Sequence, residues 1–219
     1  LWSKPSDEIY YIPKATKNLF AAIKEHFSII SPKPPSNVIN GFSDIEAELE
    51  IISPKQVRDF LTEEADNIKF PVDINNIPIT MLSKLEWLKS ILIYCAEADE
   101  DQDFSYLNSL PLELTIDNKI NIISDNRLLD NSPRLSVFEQ DKSLFIHPEI
   151  IEIVNNAEEL PPSWLGPSLN NYLTVLNEHI ESYDRTKKEW LRNVISLIVK
   201  ANEVEILDAL GQIHELEIV

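Results

Sequence analysis

Apolar residues in this chain recur at helical spacing in a series of blocks set apart by prolines. Leu19, Phe20, Ile23 and Phe27 fall on one face of a helix predicted over residues 14–27. Val57, Phe60, Leu61, Ala65 and Ile68 repeat the pattern behind Ser53-Pro54-Lys55-Gln56. That tetrapeptide sets a serine N-cap, a proline in the first turn and a glutamine at N3, the reciprocal arrangement of a capping box. Met81, Leu85, Leu88, Leu92 and Cys95 form the stripe of one long helix predicted over 80–96. A short helix is expected over 148–155 and another over 169–179. A stronger one is expected over 186–200, opened by a box from Thr186 to Glu189 and buried through Leu191, Val194, Ile195 and Ile198. An amphipathic stretch, 204–213, completes the pattern.

Strand signals are fewer. Residues 112–116 and 119–123 flank Asp117-Asn118, a pair that tolerates positive φ, and read as a tight hairpin. Residues 143–147 are β-like. Residues 46–52 follow a box from Ser43 to Glu46 and suit either a helical turn or a strand, and 1–11 have no clear period. Pro32, Pro34 and Pro35 mark a loop, Pro71 and Pro78 bracket a second, and 159–168 form a proline-rich break. The predicted class is α+β, helix-rich, with a small antiparallel β-hairpin or sheet. Residues 1–219 read as a single α+β fragment of a larger protein, since the chain opens on Leu1, with room for a sub-boundary near 156–168.

Charge narrows the partners. The net charge is −18, from 37 acidic and 19 basic residues, so the chain repels phosphate backbones and anionic membrane alike. Its densest basic stretch, Arg185, Lys187, Lys188 and Arg192, is interleaved with Glu181, Asp184 and Glu189. Hydrophobic residues at 43% are enough for a folded core. The one cysteine, Cys95, rules out an internal disulfide and sits among apolar neighbours, where an inert thiol is expected. With no Asn-X-Ser/Thr sequon, no signal pattern and no apolar run of roughly 18 residues, a cytoplasmic setting is expected.

Chemistry-bearing motifs are scarce. The only glycines are Gly41, Gly166 and Gly211, too scattered for a phosphate-cradling loop, a dinucleotide turn or a nucleophile elbow. Asp99, Asp101 and Asp103 match alternate positions of a calcium loop. Phe104 then stands where glycine is required and Leu110 where the bidentate glutamate belongs, so the run reads as a solvated charge cluster after a helix. His26, His147, His179 and His214 have no metal-ligand spacing. No catalytic, cofactor-binding or metal residue is therefore assigned. Trp87 and Trp190 read as packing residues. Trp164, in a proline-flanked loop, serves either as an anchor pinned to the core or as an exposed contact. The candidate protein-contact residues are Trp164, Asp99, Asp101 and Asp103.

The order of motifs carries a resemblance. A capped helix with PKQVRDFL leads to a helix ending LKSILIYCAEAD, then an acidic spacer, LNSLPLELTIDNKI, and FIHPEI some way on. Over roughly 53–150 this resembles the large repeats of the sacsin family, giant cytosolic proteins linked to chaperone function. Family members place glycine where this chain has Ser109, and Asp-Gly where it has Asp117-Asn118. The family's ATP-binding module, of the GHKL type, depends on glycine-rich lid motifs that have no counterpart here. The resemblance thus implies a downstream, non-catalytic scaffold or co-chaperone segment without cofactor, contacting neighbouring modules and protein partners or chaperone clients. The alternatives are an adaptor or peptide-binding module of an unrelated large protein, and an enzyme with a carboxylate-lined cleft.

Overall fold

The computed structural model of the chain describes residues 9–12, 16–24, 26–27, 49–98, 101–184 and 186–216. They belong to two compact units. The first comprises the described part of Leu1–Glu113 with Ile120–Ile123 and Asn156–Pro161; the second comprises Leu114–Lys119, Ser124–Asn155 and the described part of Pro162–Val219. The chain leaves the second unit after Asn155, contributes Asn156–Pro161 to the first, and returns to the second at Pro162. The class is α+β and rich in helix, as the hydrophobic pattern predicts.

In the first unit, β1 (Ile9–Tyr11) pairs in parallel with β2 (Leu49–Ile51). Between them lies α1 (Lys17–Ile23), started by Thr16, whose hydroxyl accepts the Leu19 amide at 3.1 Å. The predicted box at Ser53 forms in full and opens α2 (Pro54–Ala65). Ser53 Oγ accepts the Gln56 amide at 3.3 Å, and Gln56 Oε1 accepts the Ser53 amide at 2.8 Å. Val57, Leu61 and Ala65 turn inward from that helix. After β3 (Val72–Asp73) the structure departs from the predicted 80–96 helix. A 3₁₀ turn, Thr80–Leu82, is followed by α3 (Leu85–Cys95), with Lys84 extended between them at φ −136°. The Ser83 hydroxyl donates to the Thr80 carbonyl at 2.7 Å, a local bond that competes with helix continuation. Both α1 and α2 pack on α3, whose Leu88, Ile91, Leu92 and Cys95 are wholly buried.

Past α3 the chain turns back as β4 (Glu97–Ala98) paired antiparallel with β5 (Asp101–Gln102). The expected hairpin follows as β6 (Glu113–Leu114) and β7 (Lys119–Asn121), in a three-stranded antiparallel sheet ordered β3-β7-β6. At its tip Asn118 takes φ 60°, as anticipated, and its amide donates to the Thr115 carbonyl at 2.9 Å. Ser109 sits at φ 67°, with its amide donating to the Ile123 carbonyl at 2.8 Å. Left-handed backbone costs a residue with a Cβ about 1–2 kcal/mol, whereas glycine adopts it freely at an entropic cost of about 0.5–1 kcal/mol. Ser109 is exposed, so little packing is at stake. Ser109→Gly should therefore raise the unfolding free energy by about 0.5–1 kcal/mol in denaturant titrations.

In the second unit, β8 (Arg127–Leu128) pairs in parallel with β9 (Trp164–Leu165). The β-like residues 143–147 form no strand; they contribute isolated bridges, Thr115 with Ile146 and Leu128 with Phe145. His147 caps α4 (Pro148–Val154), its Nδ1 accepting the Glu149 amide at 3.2 Å, and Ser168 caps α5 (Leu169–Glu178). The box expected from Thr186 to Glu189 does not form. Thr186 Oγ1 donates to Asp184 Oδ1 at 2.6 Å, and α6 (Lys188–Val199) starts behind Lys187, which offers no capping acceptor. The 204–213 stretch is two helices, α7 (Glu203–Asp208) and α8 (Leu210–Glu215), with the break at Ala209. α7 opens with a reciprocal box between Asn202 and Glu205. The core of this unit is aromatic: Phe138 meets Phe145 edge-on at 5.4 Å and packs near Tyr172 and Tyr183, and Tyr183 stacks on Trp190 at 6.0 Å. The Trp190 indole N–H donates to the Val137 carbonyl at 3.1 Å, which satisfies its polar edge within the core.

Candidate protein-contact surface

The sequence-selected residues divide between the two units, Trp164 in the second and Asp101 and Asp103 in the first. Trp164 is 4% exposed, so its indole is covered by the chain and offers no surface to a partner in this conformation. Asp99 lies outside the described residues. Asp101 is a residue of β5, opposite Ala98, and its side chain is not described. Asp103 works locally: its carboxylate accepts the Ser105 amide at 2.8 Å and caps the 3₁₀ turn Phe104–Leu107. Among the described residues no group of three or more His, Cys, Asp or Glu could hold a metal ion.

Several other titratable groups take part in local structure. Cys95 is fully buried, and burial pushes its thiol up to about 12, against the opposing influence of Arg58. Arg58 Nη1 donates to the Cys95 carbonyl at 2.6 Å, and its guanidinium lies 4.9 Å from the Tyr106 ring centre. At neutral pH such a thiol stays protonated and is a poor nucleophile. Among the histidines, His147 is a cap, His179 ends α5 and His26 packs against the Phe60 ring at 4.9 Å. Tyr172 is buried, and that burial, with Asp130 beside it, raises its phenol well above the ordinary value. Its hydroxyl donates to Asp130 Oδ2 and accepts the Arg134 amide at 3.4 Å. At the hairpin tip, burial works against ionisation of Asp117, but the Thr115 hydroxyl at 2.6 Å and Lys119 Nζ at 3.0 Å hold its carboxyl below the usual range.

Exposed apolar surface is concentrated where polar motifs are absent. Of seven large apolar side chains exposed among the described residues, five lie between Ile195 and Leu210. They are Ile195 at 45%, Val199 at 73%, Val204 at 75%, Leu207 at 60% and Leu210 at 53%. Ile195 and Val199 are one turn apart on α6, and Val204 and Leu207 share a face of α7. The opposite side of α6 is spent on the core through Trp190, Val194 and Leu197, all buried. Ile195 thus corrects the predicted buried face of that helix. The helical period places it between the buried stripe and the solvent face, and burial of Val194 turns it outward. Single exposed apolar residues need no explanation; here five fall on three consecutive helices. No polar motif marks these residues; in the sequence only the amphipathic spacing of 204–213 points to part of them. Comparison of the chain with protein-family profiles, with curated proteins and with solved structures returned no match.

Proposed function

We propose that this chain is a non-catalytic scaffold segment of a sacsin-like repeat, acting through protein–protein contacts with neighbouring modules and chaperone clients in the cytoplasm. One observation carries the reading. The places where the family pattern has glycine and this chain does not are Ser109 and Asn118, and both adopt positive φ, 67° and 60°. Four non-glycine residues among those described have positive φ, and two of them fall on those pattern positions. Glycine is the residue such backbone favours, so the motif order and the backbone geometry agree at the points where the sequence departs from the pattern. The exposed apolar side chains of α6, α7 and α8 supply the contact surface that the reading requires.

The test is light scattering from a thermally aggregating client protein with and without the purified chain, with phosphate release from ATP followed in the same sample. Suppressed scattering with no ATP hydrolysis is the expected result. Hydrolysis by the purified chain would contradict the reading in favour of an enzyme, and unaltered scattering would favour an adaptor that binds one defined peptide.

A further inference from the structure

We propose that Ser132 is a phosphoacceptor site for a proline-directed serine/threonine kinase, and that its phosphate releases a loop latched onto Tyr172. Ser-Pro followed by a basic residue occurs at Ser31-Pro32-Lys33, Ser53-Pro54-Lys55 and Ser132-Pro133-Arg134. The first lies outside the described residues. The second is occupied by structure: the half-buried Ser53 hydroxyl accepts the Gln56 amide and donates to Gln56 Oε1 at 3.0 Å, and Pro54 is already in the first turn of α2. A kinase that binds its substrate extended cannot take Ser53 without unwinding that helix start.

Ser132 differs on each count. It is exposed, and its hydroxyl makes no hydrogen bond with the described residues. Residues 129–134 lie between β8 and the 3₁₀ turn Leu135–Phe138 in no regular element, so Pro133 and Arg134 follow it on irregular backbone. Both ends of the loop are held on one hydroxyl. Tyr172 Oη donates to Asp130 Oδ2 and accepts the Arg134 amide at 3.4 Å, while the Arg134 guanidinium lies 5.5 Å from the Tyr172 ring centre. Asp130 Oδ1 also accepts the Ser132 amide at 2.7 Å, which sets that carboxylate beside the modified residue.

Ser132 Oγ attacks the γ-phosphorus of ATP, the Oγ–P bond forms as the bond to the bridging oxygen breaks, ADP leaves, and the hydroxyl proton passes to the kinase's base. The phosphate adds about two negative charges two residues from Asp130 and two from Arg134. Like-charge repulsion drives the Asp130 carboxylate off the Tyr172 hydroxyl, and the phosphate draws the Arg134 guanidinium off the Tyr172 ring.

Folded chain would be incubated with ATP and a proline-directed kinase, and its phosphosites mapped by mass spectrometry. Modification of Ser132 at a rate at least about tenfold above that of Ser53, and lost in Ser132→Ala, is the expected result. Equal modification of Ser53, or modification of Ser132 only in unfolded chain, would overturn the site. The Arg134 amide should exchange with deuterium about tenfold faster in the phosphorylated chain, and unchanged exchange would overturn the latch.

Discussion

Phe138→Ala is expected to lower the unfolding free energy by about 3–5 kcal/mol, the range found when a buried aromatic is truncated to alanine. Phe138 is fully buried and stands at the centre of the aromatic cluster of the second unit. Phe145 meets it edge-on at 86°, Tyr183 at 66°, and Tyr172 at a 38° tilt. The first two arrangements set the positive edge of one ring near the negative face of another, a gain beyond burial of area alone. Removing the ring forfeits those contacts and opens a cavity that the surrounding rings cannot collapse into without leaving their rotamers. The neighbouring residue matters too: the Val137 carbonyl accepts from the Trp190 indole, so a shift of this segment disturbs α6. Denaturant titration read by near-ultraviolet circular dichroism measures the loss. A change below about 1 kcal/mol would mean that the cluster is not packed as described.

Tyr94→Phe should cost about 1–3 kcal/mol, a large effect for the removal of one oxygen atom. Tyr94 is buried near the end of α3, and its hydroxyl donates to the backbone carbonyl of Ile52, itself a fully buried residue between β2 and α2. Phenylalanine keeps the ring in place and removes only the donor, so the Ile52 carbonyl loses that partner without access to water. Burial also raises the phenol's pKa, with the charge of Glu97 adding to it, so the hydroxyl keeps its proton across the ordinary pH range. The measurement is the denaturation midpoint of the variant at neutral pH. An unchanged midpoint would show that the bond contributes nothing net.

The elements legible from sequence were those governed by local chemistry. The Ser53 box could be read because its donors and acceptors lie within one turn of each other. Asn118 could be read because the hairpin turn requires positive φ, and asparagine tolerates it. Elsewhere a competing contact decided the outcome. Thr186 had the right spacing for a cap but gave its hydroxyl to Asp184, and Ser83 bonded to Thr80 where an unbroken helix was expected. The parallel pairings of β1 with β2 and β8 with β9 join segments distant in sequence through strands too short to show a period. Of the candidate contacts, Trp164 fell inside, because its strand pairs with Arg127 at a buried position. The exposed surface of α6, α7 and α8 was legible only as amphipathic spacing, since the pattern does not say which apolar residues outnumber the places available in the core.

We propose that the chain works through the exposed apolar side chains of α6, α7 and α8. Val199→Asp combined with Leu207→Asp tests it most directly, because both side chains are well exposed and the fold should tolerate the change to within about 1 kcal/mol. Both proteins would be brought to the same folded fraction and compared for suppression of client aggregation by light scattering. The unsubstituted chain is expected to suppress scattering, and the double variant to lose most of that effect. Equal suppression by a folded double variant would contradict it.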